Sequence, residues 1–103
     1  MYNVCTIGLM KDADFEWDDD KAERNENDHE MSFKEARGVF LDPNRVELFD
    51  ESRSKNEARY SVIGFSRQGR LVFVAFTIRE SRIRIIHAHV AERDEEQIYE
   101  ENN

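Results

Sequence analysis

Two histidines stand two residues apart in the stretch "RIRIIHAHV" (82–90). In a strand, residues at i and i+2 emerge on one face, so His87 and His89 lie side by side. An imidazole titrates near neutrality, so one of the pair can take a proton while the other gives one. Arg79, Arg82 and Arg84 stand in or beside the same stretch, and a guanidinium fork suits phosphates and carboxylates. A base, an acid and fixed cations are what proton transfer at a charged reaction centre requires. Two plainer readings stand beside this one. The histidines can be half-buried edge residues bonded to their neighbours, and the arginines can be a solvated sheet rim. Zinc is disfavoured, because two imidazoles with no nearby cysteine or third histidine make a poor site. No metal and no cofactor are expected.

The elements that must position these groups follow from patterning. Residues 82–90 read as the last strand. Simple alternation groups Ile83 and Ile85 with the histidines, and Arg84, Ile86, Ala88 and Val90 on the other face. "RLVFVAFTI" (70–78) is apolar on both faces, which marks a central strand covered on two sides. "RYSVIGF" (59–65) and "VELFD" (46–50) read as further strands. "SRQG" (66–69) is a turn with Gly69 supplying a positive φ, and "RES" (79–81) turns again. "DFEW" (14–17) is a brief strand. A polar surface helix over 18–30 is capped by Asp18 or Asp19, with acids early. "SFKE" begins a second helix as a capping box in which Glu35 reaches back to the Ser32 amide, and Pro43 stops it. "ERDEEQIYEE" (92–101) is a short acidic helix with Ile98 and Tyr99 as its apolar contacts. The result is an α+β chain: N-terminal helices, an antiparallel β-meander and a C-terminal helix.

At 103 residues there is room for one core. Residues 15–101 are expected to form one domain, with 1–14 a weakly ordered extension. A lone cysteine, Cys5, allows no internal disulfide and fits a reducing compartment. No segment approaches a membrane span, and "MYNVCTIGLM" has neither a basic leader nor a cleavage pattern, so a cytoplasmic location is expected. The net charge of −8 argues against nucleic acid until its distribution is read. Residues 1–57 hold sixteen acidic and eight basic side chains, while 59–84 hold six arginines against Glu80 alone. An acidic face would repel nucleic acid and attract cationic partners, leaving the arginine-rich side as the productive approach.

Several phrases taken together resemble the BrnT family of bacterial toxins. "FEWDDDKAERNENDHEMSFKEARGVFLDP" is similar to that family's opening: FEWD, a K-A-x-x-N helix, a His, SF-x-E-A and a D-P stop. "RYSVIGFSRQGRLVFVAFTIRESRIRIIHAH" is similar to its meander. The similarity runs from about Phe15 to Tyr99. It implies a RelE-like fold and an RNA-cutting toxin that blocks translation. The partner implied is a BrnA-like antitoxin, which would meet operator DNA on the complex's behalf in a toxin–antitoxin hetero-oligomer. Cleavage by 2′-OH attack would then use His87, His89 and Arg84 as catalytic groups. Arg79, Arg82 and Arg67 would bind RNA phosphates, with Lys21, His29, Arg93 and Tyr99 in support. Tyr99 has a plainer role, pinning its helix to the sheet. The chain departs from the pattern at three places. His87, His89 and Val90 stand where Ser, Arg and Arg are usual. His29 is followed by Glu30 rather than Gly, and the last helix is acidic. A binding module that kept the fold without catalysis is the alternative.

Overall fold

The computed structural model describes residues 2–4 and 14–103. The strands are β1 (Tyr2–Val4), β2 (Asp14–Glu16), β3 (Val46–Asp50), β4 (Tyr60–Phe65), β5 (Leu71–Arg79) and β6 (Arg82–Val90), and the helices are α1 (Asp19–His29), α2 (Phe33–Gly38) and α3 (Arg93–Glu101). The strands form a mixed sheet in the order β1-β3-β4-β5-β6-β2. β3 to β6 run antiparallel to their neighbours, and β2 pairs parallel to β6. β1 lies along β3, so Tyr2–Val4 form an edge strand. Apart from these residues and Asp14, the expected extension over 1–14 lies outside the described residues. No helix is long and apolar enough to cross a membrane among the described residues.

β5 is buried on both faces. On one face Val72, Val74 and Phe76 pack with Phe33, Ala36 and Val39 of the α2 segment and with Ile83, Ile85 and Ala88 of β6. On the other, Phe73 packs with Val46, Leu48 and Ile63, and Ile98 and Tyr99 of α3 lie against that cluster. The β5–β6 turn holds Glu80 at φ 50° and Ser81 at φ 65°, the two left-handed residues of a tight hairpin turn closed by the Arg79–Arg82 pair. Gly69, at φ 85°, supplies the turn before β5.

α1 has almost no apolar face of its own. Asp18 caps it, accepting from the Lys21 amide at 2.9 Å. Its one buried side chain is Asn25, which fastens it to the open edge of β6. The Asn25 amide donates to the Ala88 carbonyl (2.8 Å) and the Met31 carbonyl (2.9 Å), and its oxygen accepts from the Ala88 amide (3.2 Å). One side chain thus satisfies both backbone groups of an edge residue that would otherwise be buried without partners.

Half of the expected capping box forms at α2. The Ser32 hydroxyl accepts from the Glu35 amide at 3.0 Å. The Glu35 carboxylate does not return to Ser32. It accepts from Ser66 Oγ (2.7 Å) and from Nε of Arg70 (2.9 Å), and bonds closely to Nη2 of Arg70. A charged fork is a stronger donor than a backbone amide, and it decides the rotamer of a carboxylate this buried. Arg70 also donates to the Glu30 carbonyl, so the bundle ties the α1–α2 junction to the start of β5.

The hydrogen bond from Arg70, opposed by burial, holds Glu35 below the usual carboxylate range. A depressed pKa gives stability that is present above the unfolded value and lost as pH falls through the folded one. Glu35→Gln is therefore expected to lower unfolding stability by about 2–4 kcal/mol at pH 7, because it leaves Arg70 and Ser66 poorly matched. It should also flatten the acid limb of stability below about pH 4.5. Urea unfolding across pH checks both.

Candidate active site

The site depends on a slip in the β5–β6 register. Ala75 pairs with His87 and Phe76 with Ile85, which leaves Ile86 as an extra residue in β6. This bulge corrects the alternation read from sequence. Ile83 and Ile85 face the α2 side and are buried there. Past Ile86 the parity inverts, so His87 and His89 face the α3 side, opposite Ala75 and Phe73. Arg84 pairs with Thr77 and Arg82 with Arg79. Because Phe73, Ala75, Thr77 and Arg79 alternate onto one face of β5, their partners share it. His89, His87, Arg84, Arg82 and Arg79 therefore run along a single face, although alternation separates Arg84 from the histidines.

His87 and His89 are joined ring to ring, Nε2 to Nδ1, at 2.7 Å. Nε2 of His89 meets both Glu95 oxygens, at 2.9 and 3.2 Å. Glu95 sits in the first turn of α3. It is oriented by a capping box in which its carboxylate accepts from the Glu92 amide at 2.8 Å while the Glu92 side chain caps the Glu95 amide. Phe73 stacks on His89 with ring centroids 5.0 Å apart. The third histidine joins the other two: His29, in the last turn of α1, sets its ring 4.8 Å from that of His87 and 6.1 Å from that of His89.

The two imidazoles are driven apart electrostatically. Burial, followed by the neighbouring His89 and His29, lowers the His87 pKa to about 4. The hydrogen bond to Glu95 raises His89 above its ordinary value, against burial. Burial alone would raise Glu95; its bonds with His89 and the Glu92 amide outweigh that and leave it below the carboxylate range. A cationic His89 donates from Nε2 to Glu95 and from Nδ1 to the lone pair of neutral His87. Along the line Glu95–His89–His87 the proton is favoured on His89, and His87 is the neutral partner.

The arginines of the same face all have carboxylate partners. Arg79 forks onto Glu57 through Nε (2.8 Å) and Nη2 (2.9 Å). Arg84 bonds Glu16 at 2.9 Å, and Arg82 approaches it at 3.6 Å. Arg67 is not brought to this group. It belongs to the turn at the other end of β5, where its side chain lies against Gly38. Lys21 is exposed in the first turn of α1, and Arg93 opens α3. Tyr99 donates to Asp42 Oδ2 at 2.7 Å and meets Phe65 edge-on, so it pins α3 to the sheet. Burial and that bond raise its phenol to about 12.

Glu95 is the site residue that sequence reading overlooked. Its signal was the Glu-x-x-Glu spacing at the start of α3, close behind His89. Among the described residues, His89, Glu92 and Glu95 also bring three possible metal-ligand atoms within 4.8 Å of one another. His89 already uses both nitrogens in the hydrogen-bonded line, so a metal there would compete with it.

The chain matches, over residues 17–95, a family model described as ribonuclease toxin, BrnT, of type II toxin-antitoxin system. Among curated proteins, none matches the chain.

Histidine resonances followed by NMR across pH should show His87 neutral down to about pH 4 and His89 cationic above its ordinary midpoint. In Glu95→Gln the upper midpoint should fall. Because the rings touch, the two steps belong to the pair. Two ordinary midpoints near 6.5 would show that the line does not form.

Proposed function

Because the chain belongs to the BrnT family of ribonuclease toxins of type II toxin-antitoxin systems, we propose that it is a metal-independent endoribonuclease that blocks translation. Its fold is read as RelE-like and its place of action as the cytoplasm. A BrnA-like antitoxin neutralises it in a hetero-oligomer and carries any contact with operator DNA. The observation that supports catalysis by this member is the Glu95–His89–His87 line, which sets an acid beside a base on the arginine-bearing face.

The reaction follows from those protonation states. Neutral His87 takes the proton of a ribose 2′-OH as its oxygen forms a bond to the adjacent phosphorus. The bond from phosphorus to the 5′-oxygen breaks, and His89 protonates that leaving oxygen. The products are a 2′,3′-cyclic phosphate and a 5′-hydroxyl. Before substrate arrives, the 2.7 Å bond between the rings ties up the lone pair of one and the proton of the other. RNA entering between them releases both. Glu95 keeps His89 oriented and charged. Arg84 offsets the charge that grows on phosphorus, after exchanging Glu16 for phosphate.

A second reading rests on those same ion pairs. Arg79, Arg82 and Arg84 each already face a carboxylate, which suits a member that keeps the fold for protein contact without cutting RNA.

Labelled RNA incubated with the protein at neutral pH, with chelator present, separates the readings. Cleavage should persist with chelator and drop about 10²-fold or more in His87→Ala and His89→Ala, and clearly in Glu95→Gln and Arg84→Ala. The rate should fall on the acid side as His87 protonates near pH 4 and on the alkaline side as His89 loses its proton. RNA left intact by the unaltered chain, with and without ribosomes, sinks the nuclease reading.

A further inference from the structure

The segment joining β3 to β4 carries a cationic hollow that no step above uses. It has a volume of about 780 Å³ and is walled by Arg53, Lys55, Arg59 and Arg79 around one carboxylate, Glu57. A local excess of positive charge is unexpected here, since residues 1–57 are acidic by two to one. Arg53 lies 3.8 Å from Asp50, and three quarters of its side chain is exposed. So exposed a pair contributes little, which leaves the guanidinium available to another anion. Arg79, itself half exposed, closes the hollow on the β5 side.

The hollow adjoins the histidine site. Arg79 lies on the same β5 face as Ala75, the partner of His87. Four residues of strand separate the two, ~13 Å at about 3.3 Å per residue. Arg53 is near enough to His87 for its charge to act on that ring. An extended polyanion lying across His87 would therefore have its neighbouring phosphates led toward these cations.

We propose that this hollow binds a backbone phosphate of single-stranded RNA, a few nucleotides from the bond cut at His87, through Arg53, Lys55, Arg59 and Arg79. The proposal rests on the nuclease reading of the histidine site and adds to it a separate anchoring subsite. Phosphate contacts place a nucleic acid without reading its sequence. The β3–β4 segment so supplies cations that this chain lacks at His89 and Val90, where Arg is usual in the sequences it resembles.

The test is binding of a fluorescent single-stranded RNA, 2′-O-methylated so that it cannot be cut, to the full chain over a range of salt. The doubles Arg53→Ala/Lys55→Ala and Arg53→Gln/Lys55→Gln are compared with Arg24→Ala, an exposed cation on α1. Each double should weaken binding about tenfold for every RNA sequence and reduce the slope of log K against log salt by ~0.7 for each phosphate it no longer neutralises. With cleavable RNA, KM should rise while kcat holds. Arg24→Ala should bind as the unaltered chain does. Doubles that bind RNA with unchanged affinity and slope overturn the subsite, as does a hollow that takes an acidic peptide in preference to RNA. If the doubles cut and bind normally, the subsite fails and the nuclease stands. If the unaltered chain binds RNA through the hollow but cuts none, the nuclease reading fails and the subsite stands.

Discussion

One extra residue in a strand governs the arrangement of this molecule. Ile86 interrupts the pairing of β5 with β6 and inverts which face each following side chain takes. Without it, Ile83, Ile85, His87 and His89 would share a face, and the core would have to accommodate two imidazoles among its aliphatic groups. With it, the isoleucines join Phe76 and Val74 beneath α2, and the histidines turn toward α3 with Arg84 beside them. Bulges recur where a sheet must re-aim a side chain. Here the inversion lets one strand serve a dry core at one end and a titrating cluster at the other.

The bulged edge is held by polar groups rather than by bulk. Asn25 occupies both backbone groups of Ala88 and so fixes α1, which has little apolar surface of its own, beside β6. That placement carries His29 to His87. At the end of β4, Asp42 accepts from the Phe65 amide and from Tyr99, anchoring α3. Gly64 permits it: a Cβ there would come within 3.0 Å of Val39 and 3.2 Å of the Asp42 carboxylate. Anchored in this way, α3 brings Glu95 to His89. Two polar contacts between residues far apart in sequence, one buried at Asn25 and one part-buried at Asp42, thus place the groups around one histidine pair.

Charge organises the surface in a complementary way. The arginines of the β5–β6 end stand against Glu16 and Glu57, which holds them in place and keeps the acidic chain's positive face from being wholly exposed. Exposed pairs of this kind are weak, so an incoming phosphate can exchange for the carboxylate. The hydrogen bonds from these arginines keep both acids below the usual carboxylate range, Glu57 through Arg79 and Glu16 through Arg84.

The sequence by itself determined the strands β2 to β6, though not β1, because apolar alternation and turn residues are local signals: β6 spans the residues expected of it, β5 is covered on both faces, and Gly69 turns with positive φ. It also determined the likeness to a toxin family, since ordered phrases over most of the chain survive without any geometry. The nearness of His87 to His89 was legible too, as a matter of spacing. What only the tertiary structure decided was where those groups point and what they meet. A bulge depends on how two strands agree on register, which no single strand encodes, so alternation placed Arg84 on the wrong face. Glu35 was read as a helix cap because its neighbour Ser32 is local, while Arg70, which takes the carboxylate, is thirty-five residues away. His29 and Glu95 reach the histidine pair through α1 and α3, and those helices are positioned by Asn25 and Asp42 across the fold. Proximity in sequence fixes periodicity; proximity in space fixes protonation, and here the chemistry depends on the second.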